Sequence, residues 1–155
     1  MILLPSPFRL SVTPHRKLTV GWHEAVALPD WGVAALQAKI DTGARSSAVH
    51  VDRIEPLSGH RVGFDIILSK SGRRRVHVVT RVSRTGRVRS STGHTETRFF
   101  VNTRVRLGTI ERAVELSLVD RSIMRFRMLL GRTALNGVLV DPSQVQLLDK
   151  LRHGR

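Results

Sequence analysis

The chain has 155 residues, enough for one domain with a single core, and its 41% apolar and 25% charged residues are a globular rather than a disordered composition. Cysteine is absent, which excludes disulfides, thiolate nucleophiles and every zinc site built on sulfur. A formal charge of +14 predicts attraction to polyanions, while two Trp, five Phe and no Tyr leave little from which to build a base-stacking surface.

Residues 1–16, with Pro5, Pro7 and Pro14, read as an N-terminal arm, residues 17–149 as the folded domain and residues 150–155 as a loose basic tail. Ile2-Leu3-Leu4 is interrupted by proline and lacks a basic leader, and no run approaches the length of a membrane span, so a cytoplasmic location is expected. Leu18 to Leu28 reads as a strand, Pro29-Asp30-Trp31-Gly32 as a turn, and Val33 to Asp41 as a second, buried strand. Ser47 to Ile54 and Val62 to Leu68 continue the pattern. Arg73 to Val82 and Arg87 to Ser91 read as two basic segments punctuated by Ser83-Arg84-Thr85-Gly86.

Thr97 to Leu107 alternates, with Phe99, Val101, Thr103, Val105 and Leu107 on one face; Gly108-Thr109 turns it into Ile110 to Val119, which alternates again. Phe126 to Leu130 is an apolar strand ending at Gly131. One or two turns of helix are expected after it, stopping at Asn136-Gly137, followed by short strands at Val138 to Asp141 and Val145 to Leu148. The pattern predicts an all-β domain with one short helix near its C-terminal end.

The stretch Lys39-Ile40-Asp41-Thr42-Gly43-Ala44-Arg45-Ser46-Ser47 stands out, because an apolar run ends there in an acid, a hydroxyl and a glycine. Such a position partly desolvates a carboxylate. Desolvation and a second carboxylate nearby are the conditions that raise a carboxyl pKa toward acid/base work. Thr42 can bond across to a neighbouring loop, and Gly43 lets the backbone turn tightly. An Asx turn between two strands satisfies the same four residues.

A strand ending in Asp41-Thr42-Gly43-Ala44, then hairpins, then Leu129-Leu130-Gly131-Arg132 about ninety residues later, resembles the order of elements in retropepsin-type aspartic proteases. More narrowly, the chain is similar to a bacterial family labelled ATP-dependent zinc proteases and more recently treated as retropepsin-like endopeptidases. The likeness runs from Val20 to Leu148. It is carried by Gly21-Trp22, Lys39 to His50, Val88-Arg89-Ser90-Ser91, Glu96, Leu107-Gly108, Asp120-Arg121 and Phe126 to Arg132.

The resemblance implies a closed β-barrel and an aspartic peptidase with Asp41, Thr42 and Gly43 as its catalytic loop. That chemistry needs two carboxyl groups about 3 Å apart sharing one proton. A single Asp-Thr-Gly then requires a second copy of the chain across a two-fold axis, a homodimer. Ala44, Arg45, His50, Arg73, Arg89, Gly131 and Arg132 are the expected substrate-binding residues. Arg45 departs from the acid that many retroviral enzymes carry there, and a guanidinium beside the dyad weakens proton sharing unless it pairs elsewhere.

The zinc label finds no counterpart in the sequence. His23-Glu24 is not followed by a second histidine at the spacing of a His-Glu-x-x-His helix, and His15, His23, His50, His60, His77, His94 and His153 show no paired ligand spacing. No phosphate loop is present either, so neither a metal nor ATP is expected as a cofactor. From Ile66 to Thr95 there is no acid, while eight Lys and Arg fall inside. The resemblance places the cleft-covering flap here and suggests acidic, glutamate-rich protein tails as substrates, with a functional link to an ATP-grasp glutamate ligase. Two alternatives are a non-catalytic dimeric module binding acidic proteins or RNA through the basic surface, and a His/carboxylate zinc peptidase.

Overall fold

The computed structural model describes residues 17–69, 71–89, 92–120 and 125–153. They form ten strands, a 3-10 turn and one helix: β1 Leu18–Gly21, β2 His23–Leu28, the 3-10 turn Pro29–Trp31, β3 Val33–Ile40, β4 Ser47–Leu57, β5 Arg61–Ile67, β6 Arg75–Arg89, β7 Thr95–Leu107, β8 Ile110–Val119, β9 Met128–Leu130, β10 Val138–Asp141 and α1 Leu147–His153. The expected arm at residues 1–16 lies outside the described residues.

The main sheet runs β2-β3-β9-β4-β5-β6-β7-β8, and two further pairings, β4 with β8 and β2 with β7, make the strand-to-strand path β2-β3-β9-β4-β8-β7 return to β2. β1 and β10 form a separate parallel pair. The expected alternation puts Val101, Thr103, Val105 and Leu107 of β7 inside, facing Val114, Leu116 and Leu118 of β8. Val49, Val51, Phe64, Ile66, Met128 and Leu130 join them in one core, each fully covered or nearly so. Burying a side chain of this size stabilises by about 1.5–3 kcal/mol, so this core is the main source of folding energy. Trp31 closes one edge of that core against Phe64, with ring centroids 5.4 Å apart.

Four expectations change. Leu18 to Leu28 is two strands, because the chain turns at Trp22: Gly21 N–H donates to the Glu24 carboxylate and Trp22 N–H to the Gln144 carbonyl. A Cβ on Gly21 would lie 2.5 Å from that carbonyl oxygen, so only glycine passes there. β3 is buried on one face only, with Gln37 and Lys39 exposed.

The basic segment does not fold back at Ser83-Arg84-Thr85-Gly86. β6 runs straight through, pairing first with β5 and then with β7, and the extra residue is absorbed as a bulge between Val82 and Arg84. The Arg84 guanidinium lies 3.5 Å from the Phe100 ring centroid, and a Cβ at position 86 would meet that ring at 3.0 Å. Gly86 therefore makes room for a stacked arginine inside a strand, where the sequence suggested a turn.

The helix is also elsewhere. After Gly131 the chain makes turns, with Ala134 N–H bonded to the Gly131 carbonyl and Leu135 N–H to that of Arg132. The helix begins at Leu147, where a strand and then a loose tail were expected. Its start is fixed by Glu24, whose carboxylate is 1% exposed and accepts the N–H groups of Leu147 and Leu148 as well as that of Gly21. A side chain from β2, more than a hundred residues earlier, caps this helix. Nothing local to residues 145–150 announces it. No helix among the described residues is long and apolar enough to cross a membrane.

Candidate active site

β3 and β9 run parallel, with Ile40 opposite Leu130, and the chain leaves β3 directly into Asp41. The Asp41 N–H continues the ladder by donating to the Leu130 carbonyl at 2.9 Å. The next residues fold back on the carboxylate: Oδ1 of Asp41 accepts the N–H groups of Gly43 at 3.0 Å and Ala44 at 3.2 Å. This is an Asx-type turn, and it holds the carboxyl group through Oδ1 while Oδ2 takes no part in the turn. The Asp41 side chain is 23% exposed, and Oδ2 lies 3.5 Å from Nζ of Lys39.

Residues 130–133 hold the loop from beneath. Arg132 N–H donates to the Ala44 carbonyl and Thr133 N–H to that of Arg45. The Arg132 guanidinium donates to the carbonyls of Thr42 at 3.1 Å and Gly43 at 3.0 Å. Gly131 N–H donates to the buried Ser47 hydroxyl at 3.0 Å. A Cβ on Gly131 would sit 2.4 Å from the Ser46 carbonyl oxygen and 2.9 Å from that of Ala44, which forbids any side chain there. Two sequence signatures ninety residues apart are thus one hydrogen-bonded unit.

The other expected residues are distributed unevenly. Ala44 lies in the loop. Arg45 follows it, exposed, and makes no ion pair with Asp41 among the described residues; Lys39 does so instead. That partner was missed, although strand alternation puts residues 39 and 41 on one face. Arg132 braces the loop from behind through its carbonyls.

His50 is 3% exposed on β4, its N–H bonded to the Arg127 carbonyl and its Nδ1 3.2 Å from the carbonyl of Val119. Burial, assisted by the charge of Arg127, holds its imidazole below the ordinary value. It presents no open surface to a ligand. Arg73, two residues before β6, and Arg89, the last residue of β6, are exposed and lie at opposite ends of this long strand.

A cleft of about 430 Å³ opens beside the loop, lined by Arg45, Ser46 and Thr133 on one side and by Arg84, Ala113, Val114 and Glu115 on the other. Arg84 holds the Glu115 carboxylate through two nitrogens, at 3.0 and 2.8 Å, and Ser83 adds a third bond at 2.9 Å. These contacts, Arg84 foremost, hold Glu115 below the usual carboxylate range. Asp41 is not among the residues lining this cleft. Among the described residues no three His, Asp or Glu side chains gather in a way that could hold a metal ion.

An all-β chain whose Asp-Thr-Gly-Ala loop is seated on an apolar-Gly-Arg turn is of the retropepsin-like class. The chain belongs to the RimB-like family: the family described as retropepsin-like aspartic endopeptidase RimB matches residues 19–150. It is also similar to a probable alpha-L-glutamate ligase of Parasynechococcus marenigrum, 37% identical over 145 residues, and to one of Shewanella pealeana, 35% identical over 133 residues. The matches cover 88% and 83% of this chain but only 30% and 29% of those proteins, so the chain spans under a third of their length. Among solved structures, a Legionella pneumophila protein of unknown function superposes with a TM-score of 0.70 at 25% identity, covering 84% of this chain and 98% of that one.

Proposed function

We propose that the chain is one half of an aspartic endopeptidase, and that the returning path of strands is the closed barrel that carries its catalytic loop. The supporting observation is the loop itself. One carboxylate is oriented by Gly43 and Ala44, with its second oxygen beside Lys39, on a turn that Gly131 and Arg132 hold in place. The chain contains one such loop, so the second carboxyl comes from Asp41 of a second copy.

With one proton shared between the two, the ionised carboxylate takes a proton from a water whose oxygen attacks the scissile carbonyl carbon. The protonated partner gives its proton to the carbonyl oxygen. Collapse of the tetrahedral intermediate breaks the C–N bond as a proton passes to the leaving nitrogen. Thr42 braces the paired loops, and the Arg84–Arg89/Thr95–Phe100 hairpin is the flap over the cleft.

Acidic protein tails are the substrate class that the charge and the relatives favour. The relatives' names and their greater length support a working link to a glutamate ligase, through which such tails arise. The test is cleavage of a glutamate-rich peptide between about pH 4 and 8, with wild type and Asp41→Asn side by side and the oligomeric state measured by sedimentation. Loss of cleavage with the dimer intact is the expected result. A strictly monomeric active protein, or activity abolished by a chelator, overturns it.

A second reading, a binding module without catalysis, is favoured by one observation: Arg73, Arg74, Arg81, Arg87 and Arg89 are exposed and make no ion pair among the described residues. Binding that survives Asp41→Asn and falls steeply with salt, in a protein that cuts no acidic peptide, would select it.

A further inference from the structure

The N-terminal half of β6 has an open side. Residues Arg75–Arg81 pair with β5 alone among the described residues, and pairing with β7 begins only at Val82. Two bonds at the ends of the β5–β6 ladder fix its phase: Leu68 N–H donates to the Arg74 carbonyl and Val82 N–H to the His60 carbonyl, both at 2.8 Å. Antiparallel pairs alternate between hydrogen-bonded and non-bonded, and Arg75 and Arg81 sit one step inside those bonded pairs. Val76, Val78 and Thr80 therefore bond to β5. Arg75, His77, Val79 and Arg81 direct their N–H and C=O groups away from it.

The same four side chains share the exposed face. Val79 lies across from Gly63, which has no side chain to cover it, and is 48% exposed, one of two large apolar residues so exposed in the described chain. His77 and Arg75 are held by Asp65 and Asp52, at 2.8 and 2.6 Å. Arg81 at one end of the edge and Arg73 and Arg74 at the other make no ion pair among the described residues.

We propose that this edge is a docking site for an extended acidic segment of another protein, which adds to β6 as a further strand. Main-chain bonds to His77 and Val79 hold it, an apolar side chain covers Val79, and acidic side chains meet Arg81 and the Arg73-Arg74 pair. A second copy of this chain is a poor occupant, because it would set arginine against arginine. The site is separate from Asp41 and stands whether or not the chain is a peptidase.

The probe is a labelled acetylated peptide, Glu-Thr-Val-Thr-Glu-Thr-Glu, titrated by fluorescence anisotropy into the Asp41→Asn protein so that nothing is cut. Val79→Pro removes an N–H that the β5–β6 ladder does not use, and is expected to weaken binding roughly tenfold or more. Arg81→Glu is expected to weaken it further at low salt than at high salt. Backbone N-methylation of the peptide's single valine should give the same loss without altering the protein, and amide exchange should slow at His77 and Val79.

Equal binding by Val79→Pro and by the N-methylated peptide overturns the proposal. So does protection confined to the β6–β7 hairpin, or full competition by an RNA oligomer of equal charge, which would assign the arginines to polyanions in general.

Discussion

The Asp41 loop and the basic strand β6 use the backbone in opposite ways. In the loop, main-chain groups of residues 41–45 are drawn onto a neighbouring turn through Leu130, Arg132 and Thr133, and the missing Cβ of Gly131 makes the contact feasible. In the first half of β6, alternate main-chain groups have no partner strand among the described residues; Arg75 and His77 are held by Asp52 and Asp65, while Arg73, Arg74 and Arg81 make no ion pair among those residues. The difference separates a place where geometry is over-determined from one that, among the described residues, is left without a second partner strand.

Four changes sharpen that contrast, beginning with the largest effect. Asp41→Asn keeps every backbone bond of the loop and should reduce peptide cleavage by roughly 10³-fold or more, with the melting temperature within a few degrees of wild type. Residual cleavage near the wild-type rate would move the chemistry away from the loop.

Gly131→Ala forces a methyl group onto the Ser46 carbonyl and should cost about 3 kcal/mol in urea unfolding. A variant as stable as wild type would show that the loop can shift freely. Arg132→Ala removes two bonds to the loop carbonyls from an exposed side chain. About 1 kcal/mol of stability is expected to go, while kcat falls more than KM rises, because the loop and not the substrate contact is disturbed. Replacing Arg73, Arg74 and Arg81 together by glutamine should leave stability within about 0.5 kcal/mol, yet lower the salt needed to elute the protein from heparin.

His50 gives a smaller, pH-dependent signal. Burial depresses its pKa in the folded chain, so as pH falls through the unfolded value near 6.5 the unfolded state takes up a proton that the folded state refuses. The stability contributed above that pH is lost progressively as pH drops toward the depressed folded value. His50→Gln should flatten this limb when melting temperatures are compared from about pH 7 to pH 5.

Much of the frame was legible in the residues. Period-two alternation located β7 and β8, and the paired signatures at Asp41 and Leu129 to Arg132 located the loop and its seat. What was not legible depended on distant partners. Ser83 to Gly86 has turn composition, but Gly86 is there because Arg84 stacks on Phe100, a residue of the next strand. The helix at Leu147 depends on Glu24, and the turns after Gly131 depend on carbonyls of residues 44 and 45. The pairing of Lys39 with Asp41 follows from strand alternation, which sets residues two apart on one face, whereas Arg45 lies beyond the turn. Local pattern describes strands well, and it fails where a side chain from elsewhere decides the backbone.

The three residues of β9 also set a timetable. They lie between β3 and β4, parallel to one and antiparallel to the other, yet follow them by some eighty residues in the chain. A contact of that separation forms late, after the intervening loop entropy has been overcome. During synthesis Asp41 leaves the ribosome long before Gly131 and Arg132 do, so its turn waits without a seat. A nascent chain therefore carries the Asp41 carboxylate without the seat of its loop until Gly131 and Arg132 have been made.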